Sequence, residues 1–386
     1  MTPAERRAGG WLAGVFALRM LGLFMVLPVF ALEARRYPGG EDPALVGLAL
    51  GIYGLVQAVL QLPLGAASDR WGRKRVIVAG LLVFAAGSLW AALAGSVWGL
   101  LAGRALQGAG AISAAVTALV ADQTRDAVRT KAMALVGASI GLSFALSLVV
   151  APVLAARFGL AGIFGLTALL AAGGIAGVIW GVPPEQPMRE AAPRAPLVAV
   201  LRHGALLRLN AGVFMLHAVQ VAMWVAVPGL LVRAGLAQGQ HWMIYLPAVL
   251  ASFVVMGMVL LPLERRGHLR GALLGAIAAV GLSQLGLAWA SGAPAVPLLA
   301  ALLFVFFCGF NMLEASQPSL VSRLAPQAAR GAALGVYNTL QSLGLFAGGA
   351  LGGVLVNAAG PAGLFATAAA VCAVWLALTW GLRVRT

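Results

Sequence analysis

Residues 45–75 read LVGLALGIYGLVQAVLQLPLGAASDRWGRKR. As far as Ala67 the stretch carries no charge, and Tyr53, Gln57 and Gln61 are its only polar side chains. At ~1.5 Å of rise per residue, a helix of this length crosses the ~30 Å hydrocarbon layer of a bilayer. From Asp69 onward the character inverts, with Arg70, Arg73, Lys74 and Arg75 gathered around Gly72. An apolar helix that runs into a basic turn is a membrane span reaching the membrane surface. A membrane β-strand would instead alternate apolar and polar residues over ~10 positions.

Moving outward, the same pattern predicts twelve spans, at 11–32, 45–67, 76–94, 97–120, 132–155, 160–182, 209–232, 242–263, 271–290, 296–320, 332–356 and 361–382. Composition agrees: of 386 residues, 61% are hydrophobic and 10% charged, with a mean hydropathy of +0.96. A soluble fold of this size would lack the polar side chains to cover its outside. Cys308 and Cys372 both lie in apolar runs, and no Cys/His spacing suits a metal, so two buried thiols and no cofactor are expected. The first apolar run carries Arg19 and is followed by Glu33, Arg35 and Arg36, which reads as a retained span rather than a cleaved signal.

The formal charge of +15 is explained by topology, not nucleic acid. Of the 26 Lys and Arg residues, 20 fall at the termini, in the central segment and in the loops after spans 2, 4, 8 and 10. Only Arg35, Arg36, Arg157 and Arg233 fall on the opposite side, and Arg19 and Arg104 lie within spans. Basic loops stay cytoplasmic, so both termini are expected there, in a multi-pass protein of a bacterial inner membrane.

The one long polar stretch, rich in proline, divides the chain into an N-terminal six-span bundle (1–183), a cytoplasmic linker (184–208) and a C-terminal six-span bundle (209–386). The halves look duplicated. Asp69-Arg70-Trp71-Gly72 lines up with Glu264-Arg265-Arg266-Gly267 at an offset of 195, and Leu119-Val120 with Arg129 lines up with Leu320-Val321 and Arg330 at an offset of 201. Pairs such as Gly47/Gly51, Gly137/Gly141, Gly348/Gly352 and Gly349/Gly353 let helix backbones approach, or reflect the general glycine enrichment of membrane helices.

The decapeptide Gly65 to Lys74, GAASDRWGRK, resembles the G-x-L-A-D-R-x-G-R-K loop of the major facilitator superfamily, with Ala67 where leucine is usual. Arg104 to Ala111 resembles that superfamily's R-x-x-Q-G-x-G-A element, whose Arg is associated with proton coupling. Ser147 to Ala156 keeps only Pro152 of the antiporter pattern G-x-x-x-G-P-x-x-G-G, with small residues replacing its glycines. Ala17 to Pro28, Gly51 to Ala58 and Phe310 to Ala315 look like the YajR-type branch, a drug:proton antiporter group, and with Thr386 just after span 12 that branch's extra C-terminal soluble domain is not expected. The resemblance implies an all-α fold of two pseudo-symmetric six-helix bundles. It also implies a cytoplasmic conformational latch built on Gly65, Asp69, Arg70, Gly72, Arg73, Lys74 and Asp122, in which Asp69 docks on span 11 and Arg73 pairs with Asp122. The bland alternative is that the basic loop only anchors topology.

Glu314 is the only acid well inside an apolar span, and an ionised carboxylate facing lipid would cost several kcal/mol. It faces a cavity and handles a proton or substrate, or it is a structural partner of Arg19 or Arg104. Asn311 and Gln317 share its helical face. Span 7 carries Asn210, Phe214, His217, Val221 and Trp224 as a stripe, in which His217 either titrates or packs. Tyr53, Gln57, Gln61, Gln107, Asn338 and Gln341 complete the candidate cavity lining, while Arg19 and Arg104 either face that cavity or snorkel.

The expected function is proton-coupled export of a small hydrophobic or cationic compound by alternating access between the bundles. The expected partners are that solute, protons and the lipid bilayer, with no nucleic acid, and the expected assembly is a monomer. A proton-linked or facilitative metabolite carrier, and a nontransporting membrane sensor or assembly factor, stand as alternatives. An enzyme is not expected, because the four histidines are scattered and no nucleophile and base pair up, and the absence of G-x-x-x-x-G-K-[ST] points away from ATP.

Overall fold

The computed structural model describes residues 1–185, 200, 202–326 and 329–382, without the side chains at 126, 127, 129, 130, 261 and 265. Most of the expected linker, together with Arg189, Arg194, Arg383 and Arg385, lies outside the described residues.

Among the described residues the fold is helical and holds no strand. The helices are α1 (Pro3–Val26), α2 (Phe30–Glu33), α3 (Pro43–Trp71), α4 (Arg73–Ala92), α5 (Val97–Ala109), α6 (Ser113–Asp122) and α7 (Asp126–Ala176), then α8 (Gly204–Arg233), α9 (Trp242–Arg265), α10 (Leu269–Ala290), α11 (Val296–Leu324) and α12 (Arg330–Trp380). Two of them, α7 and α12, are 51 residues long, or about 75 Å at ~1.5 Å per residue, more than twice a bilayer core. Each reverses at a glycine with non-helical angles, Gly159 (φ 61°, ψ −158°) and Gly360 (φ 66°, ψ −176°), and so supplies two spans. With these turns counted, the helices long and apolar enough to cross a membrane give the twelve spans of the sequence.

Backbone geometry makes the duplication concrete. Six glycines have positive φ, and they pair between the halves: Gly39 with Gly235, Gly72 with Gly267, Gly159 with Gly360. The second pair stands at the offset of 195 and the third at 201, the two spacings found in the loops. Each marks a chain reversal that only a residue without Cβ makes cheaply.

The chain divides into two compact units, Met1–Ala191 and Ala192–Thr386. In the first, α1 packs along α7, and α5 lies between α3 and α4. Leu12, Phe16, Ile77, Leu81, Ile112 and Val116 form its buried core. In the second, α8 packs along α12, and α11 lies against α9 and α10. A Cβ at Gly344, Gly348 or Gly352 would run into the α8 backbone at Phe214, Ala218 and Ala222 in turn. Close helix approach is thus real on this stripe, whereas a Cβ at Gly137 would meet nothing within 4 Å.

Two spans differ from their sequence windows. Span 1 begins earlier, because Thr2 and Glu5 form a capping box ahead of the apolar run, and it breaks at 27–29, around Pro28. Span 4 is broken at 110–112 into α5 and α6. There Gly110 lies so close to the backbone of Gly80 and Phe84 on α4 that a side chain has no room.

Candidate functional site

In the N-terminal unit, Arg19 and Arg104 do not reach for the surface. Arg19 is 1% exposed and Arg104 2% exposed, and both meet Tyr53. Arg19 Nη2 donates to the Tyr53 hydroxyl at 2.7 Å, and the Arg104 guanidinium lies 4.9 Å from the centre of the same ring. Arg104 also donates to Gln107 Oε1 (3.0 Å) and the Leu50 carbonyl (3.2 Å), and Gln107 Nε2 donates to Ser88 Oγ (2.8 Å). Cation–π attraction and neutral oxygens therefore share the Arg104 charge. Arg19 has looser company, with the Phe84 ring centre 5.6 Å from its guanidinium, Ser113 Oγ at 3.4 Å and the Gly110 carbonyl at 3.5 Å. Gln57 donates to Gln61 one turn on, at 3.5 Å.

In the C-terminal unit, Glu314 meets His217 and Gln341. The Nδ1 of His217 lies 3.0 Å from the Val213 carbonyl, an acceptor only, so Nδ1 carries the proton of the neutral ring. Its Nε2 is then free to accept, and it faces Gln341 Nε2 at 2.8 Å and Glu314 Oε2 at 3.5 Å. Gln341 Nε2 also lies 3.3 Å from Glu314 Oε1. A proton arriving at either Nε2 or the carboxylate has the other as its immediate neighbour.

The rest of the expected polar face divides. A step of three residues turns a helix by about −60°, so Asn311, Glu314 and Gln317 spread over ~120° and address three neighbours. Asn311 Nδ2 donates to Ser252 Oγ on α9 at 2.7 Å, while Gln317 packs beside Gly212 and Trp375 with no hydrogen-bond partner for its amide. Asn210 is likewise buried and unbonded. Trp224 belongs to an aromatic cluster with Tyr245 (ring centroids 5.2 Å apart) and Phe307 (6.4 Å). Asn338 accepts the Ser342 hydroxyl on its backbone carbonyl at 3.0 Å.

At the basic loop, Arg73 bridges Asp69 and Asp122, with Nε 3.2 Å from Asp122 Oδ2, and its Nη1 donates to Ser68 Oγ at 2.7 Å. Gly65 faces Ala114 closely, and Arg70 is exposed. The sequence reading missed Glu185. Its carboxylate accepts the backbone N–H of Arg73 (3.2 Å) and that of Lys74, capping the N-terminus of α4, while Lys74 Nζ donates to the Val182 carbonyl and Gln123 Nε2 to the Pro184 carbonyl (2.9 Å). The available signal was an acid directly after span 6, with a helix start in need of a cap. In the C-terminal unit the equivalent pair is Glu264 with Arg323, at offsets of 195 and 201 from Asp69 and Asp122. Outside the spans, Arg125 bonds Glu5 (Nε to Oε1, 2.7 Å), and that carboxylate holds the guanidinium further above its usual range.

The sequence profile of the Major Facilitator Superfamily matches residues 12–349. The inner membrane transport protein YajR of Escherichia coli K12 is 42% identical over 97% of this chain and 83% of its own. The multidrug resistance protein MdtH of Aeromonas salmonicida is 28% identical over 92% and 89% of the two chains. In three dimensions the nucleoside transporter NupG superposes with a TM-score of 0.78, at 15% identity, over 97% of this chain and 99% of that one.

Proposed function

The chain belongs to the major facilitator superfamily, and on that premise we propose that this membrane transporter exports a small hydrophobic compound in exchange for inward protons. It works as a monomeric multi-pass carrier of a bacterial inner membrane, with both termini in the cytoplasm. Similarity to a protein named for inner-membrane transport and another named for multidrug resistance supports export from that membrane.

One observation carries the coupling: Glu314, on an apolar span, lies against His217 and Gln341. A carboxylate and an imidazole in contact exchange a proton over one short step, and either protonation changes what the pair attracts. When Glu314 is ionised, it holds the proton on His217 or a donor on the solute. When Glu314 is protonated, that hold is released and the two bundles rock to the other access state. Asp69, Arg73 and Asp122, joined to one another within the N-terminal bundle, form the cytoplasmic latch of the outward-facing state.

The test is flux in proteoliposomes with an imposed pH gradient, using a panel of hydrophobic amines, alcohols and carboxylates. Uptake that follows the gradient, and that Glu314→Gln uncouples, is the expected result. Uptake that is indifferent to both the gradient and the substitution removes the coupling.

A further inference from the structure

Among the described residues, Arg19 and Arg104 are buried in an apolar bundle and neither forms an ion pair. Arg104 is served by a ring face and two neutral oxygens. Arg19 has a ring face as well, at 5.6 Å from the Phe84 centroid, and one short hydrogen bond, to Tyr53, and the Nε of each arginine has no hydrogen-bond partner. An uncompensated guanidinium in a low-dielectric site costs several kcal/mol unless something charged is meant to meet it.

A second, independent feature faces the same spot. Span 4 is interrupted, and its second piece, α6, starts inside the span at Ser113, with Ile112 supplying no side-chain cap. The first bond of the new helix runs from the Val116 amide to the Ile112 carbonyl, so the amides of Ser113, Ala114 and Ala115 stand outside the ladder. Such an end carries about half a positive charge, and half-helix N-termini at membrane depth meet anionic groups. Arg19 Nη1 points at Ser113 Oγ, 3.4 Å away, and Ser113 is only partly buried.

We propose that Arg19, Tyr53, Ser113 and the open N-terminus of α6 bind the carboxylate of an amphipathic monoanion, which is the transported solute. Arg19 supplies the charge. Tyr53 and Ser113 accept from Arg19 and so have their own hydroxyl hydrogens left to donate. Of the two guanidiniums it is Arg19 that meets Ser113 at the start of α6, so one guanidinium there receives one carboxylate. The apolar body has a wall beside it, in the cluster of Leu23, Tyr53 and Phe84 with Met20. This inference rests on the transporter reading and narrows its hydrophobic compound to a weak organic acid. The cationic solute expected from sequence is repelled by both arginines.

The experiment is equilibrium binding to the purified full chain, by thermal shift and calorimetry, with no pH gradient. The probes share one hydrocarbon body: 4-phenylbutanoate, 4-phenylbutanol and 4-phenylbutylammonium. The carboxylate is expected to bind at least about tenfold tighter than the other two, with that advantage lost in Arg19→Gln, partly kept in Arg19→Lys and reduced several-fold in Ser113→Ala, the range for a charged hydrogen bond. Equal or tighter binding of the ammonium probe, or carboxylate binding untouched by both Ser113→Ala and Arg19→Lys, overturns the proposal. Ser113→Ala removes no charge and keeps the test informative if Arg19→Gln does not fold. Because no gradient is applied, failure of proton coupling in proteoliposomes does not register here, and failure here leaves coupling to be judged there.

Discussion

Gly72→Ala tests how the basic loop is held. Gly72 has φ 96° and ψ 142°, a region that residues with a Cβ enter at a cost of ~1–3 kcal/mol. An alanine Cβ would also sit 3.2 Å from Glu185 Oε2, the oxygen that accepts the Arg73 amide. Moving that carboxylate forfeits the cap on α4, worth ~0.5–2 kcal/mol. The usual gain from replacing glycine, ~0.4–1 kcal/mol through the unfolded chain, offsets part of this. The net loss is about 1–4 kcal/mol, and at ~2–4 °C per kcal/mol for a unit of this size the melting temperature should fall by ~2–16 °C. Melting of the purified protein, followed by tryptophan fluorescence, reads the shift. The decisive comparison is with Glu185→Ala, alone and combined. If the alanine Cβ has already displaced the carboxylate, adding Glu185→Ala to Gly72→Ala should lower stability no further. Fully additive losses, or a Gly72→Ala protein that melts with the wild type, would refute the reasoning.

Two further substitutions probe the packing and the buried arginines. Gly348→Val drives a side chain into the Ala218 carbonyl and should cost ~1–3 kcal/mol by overpacking, while Gly137→Ala, with nothing near it, should lose no stability; thermal melts compare them. Tyr53→Phe leaves Arg19 Nη2 with only the Gly110 carbonyl at 3.5 Å and should cost ~1–3 kcal/mol, whereas Tyr53→Leu should cost more because the Arg104 ring contact goes too.

What the sequence made legible was whatever depends on periodicity and charge. The twelve apolar windows follow from hydropathy alone. The offsets of 195 and 201, found in loop residues, reappear in the backbone at Gly72/Gly267 and Gly159/Gly360. What depends on a long-range partner was not legible. Glu185 looks like one more charge in a polar linker until the start of α4 is found against it, more than a hundred residues away in sequence. The break between α5 and α6 has no proline to announce it; it follows from the crowding of Gly110 against α4. Asn311 and Gln317 share a broad face with Glu314, yet only three-dimensional packing assigns them to Ser252 and to the Gly212–Trp375 contact. The stripe on span 7 divides in the same way, with His217 at Glu314 and Trp224 among aromatic rings.

Coupling through Glu314 requires that its carboxylate meet water rather than acyl chains. The direct measurement is thiol labelling of Glu314→Cys in a background where Cys308 and Cys372 are replaced by serine, in membranes, with a charged membrane-impermeant methanethiosulfonate. Rapid modification by the charged reagent is the predicted result. Modification only by a lipid-soluble maleimide would place position 314 against the hydrocarbon and contradict proton handling there.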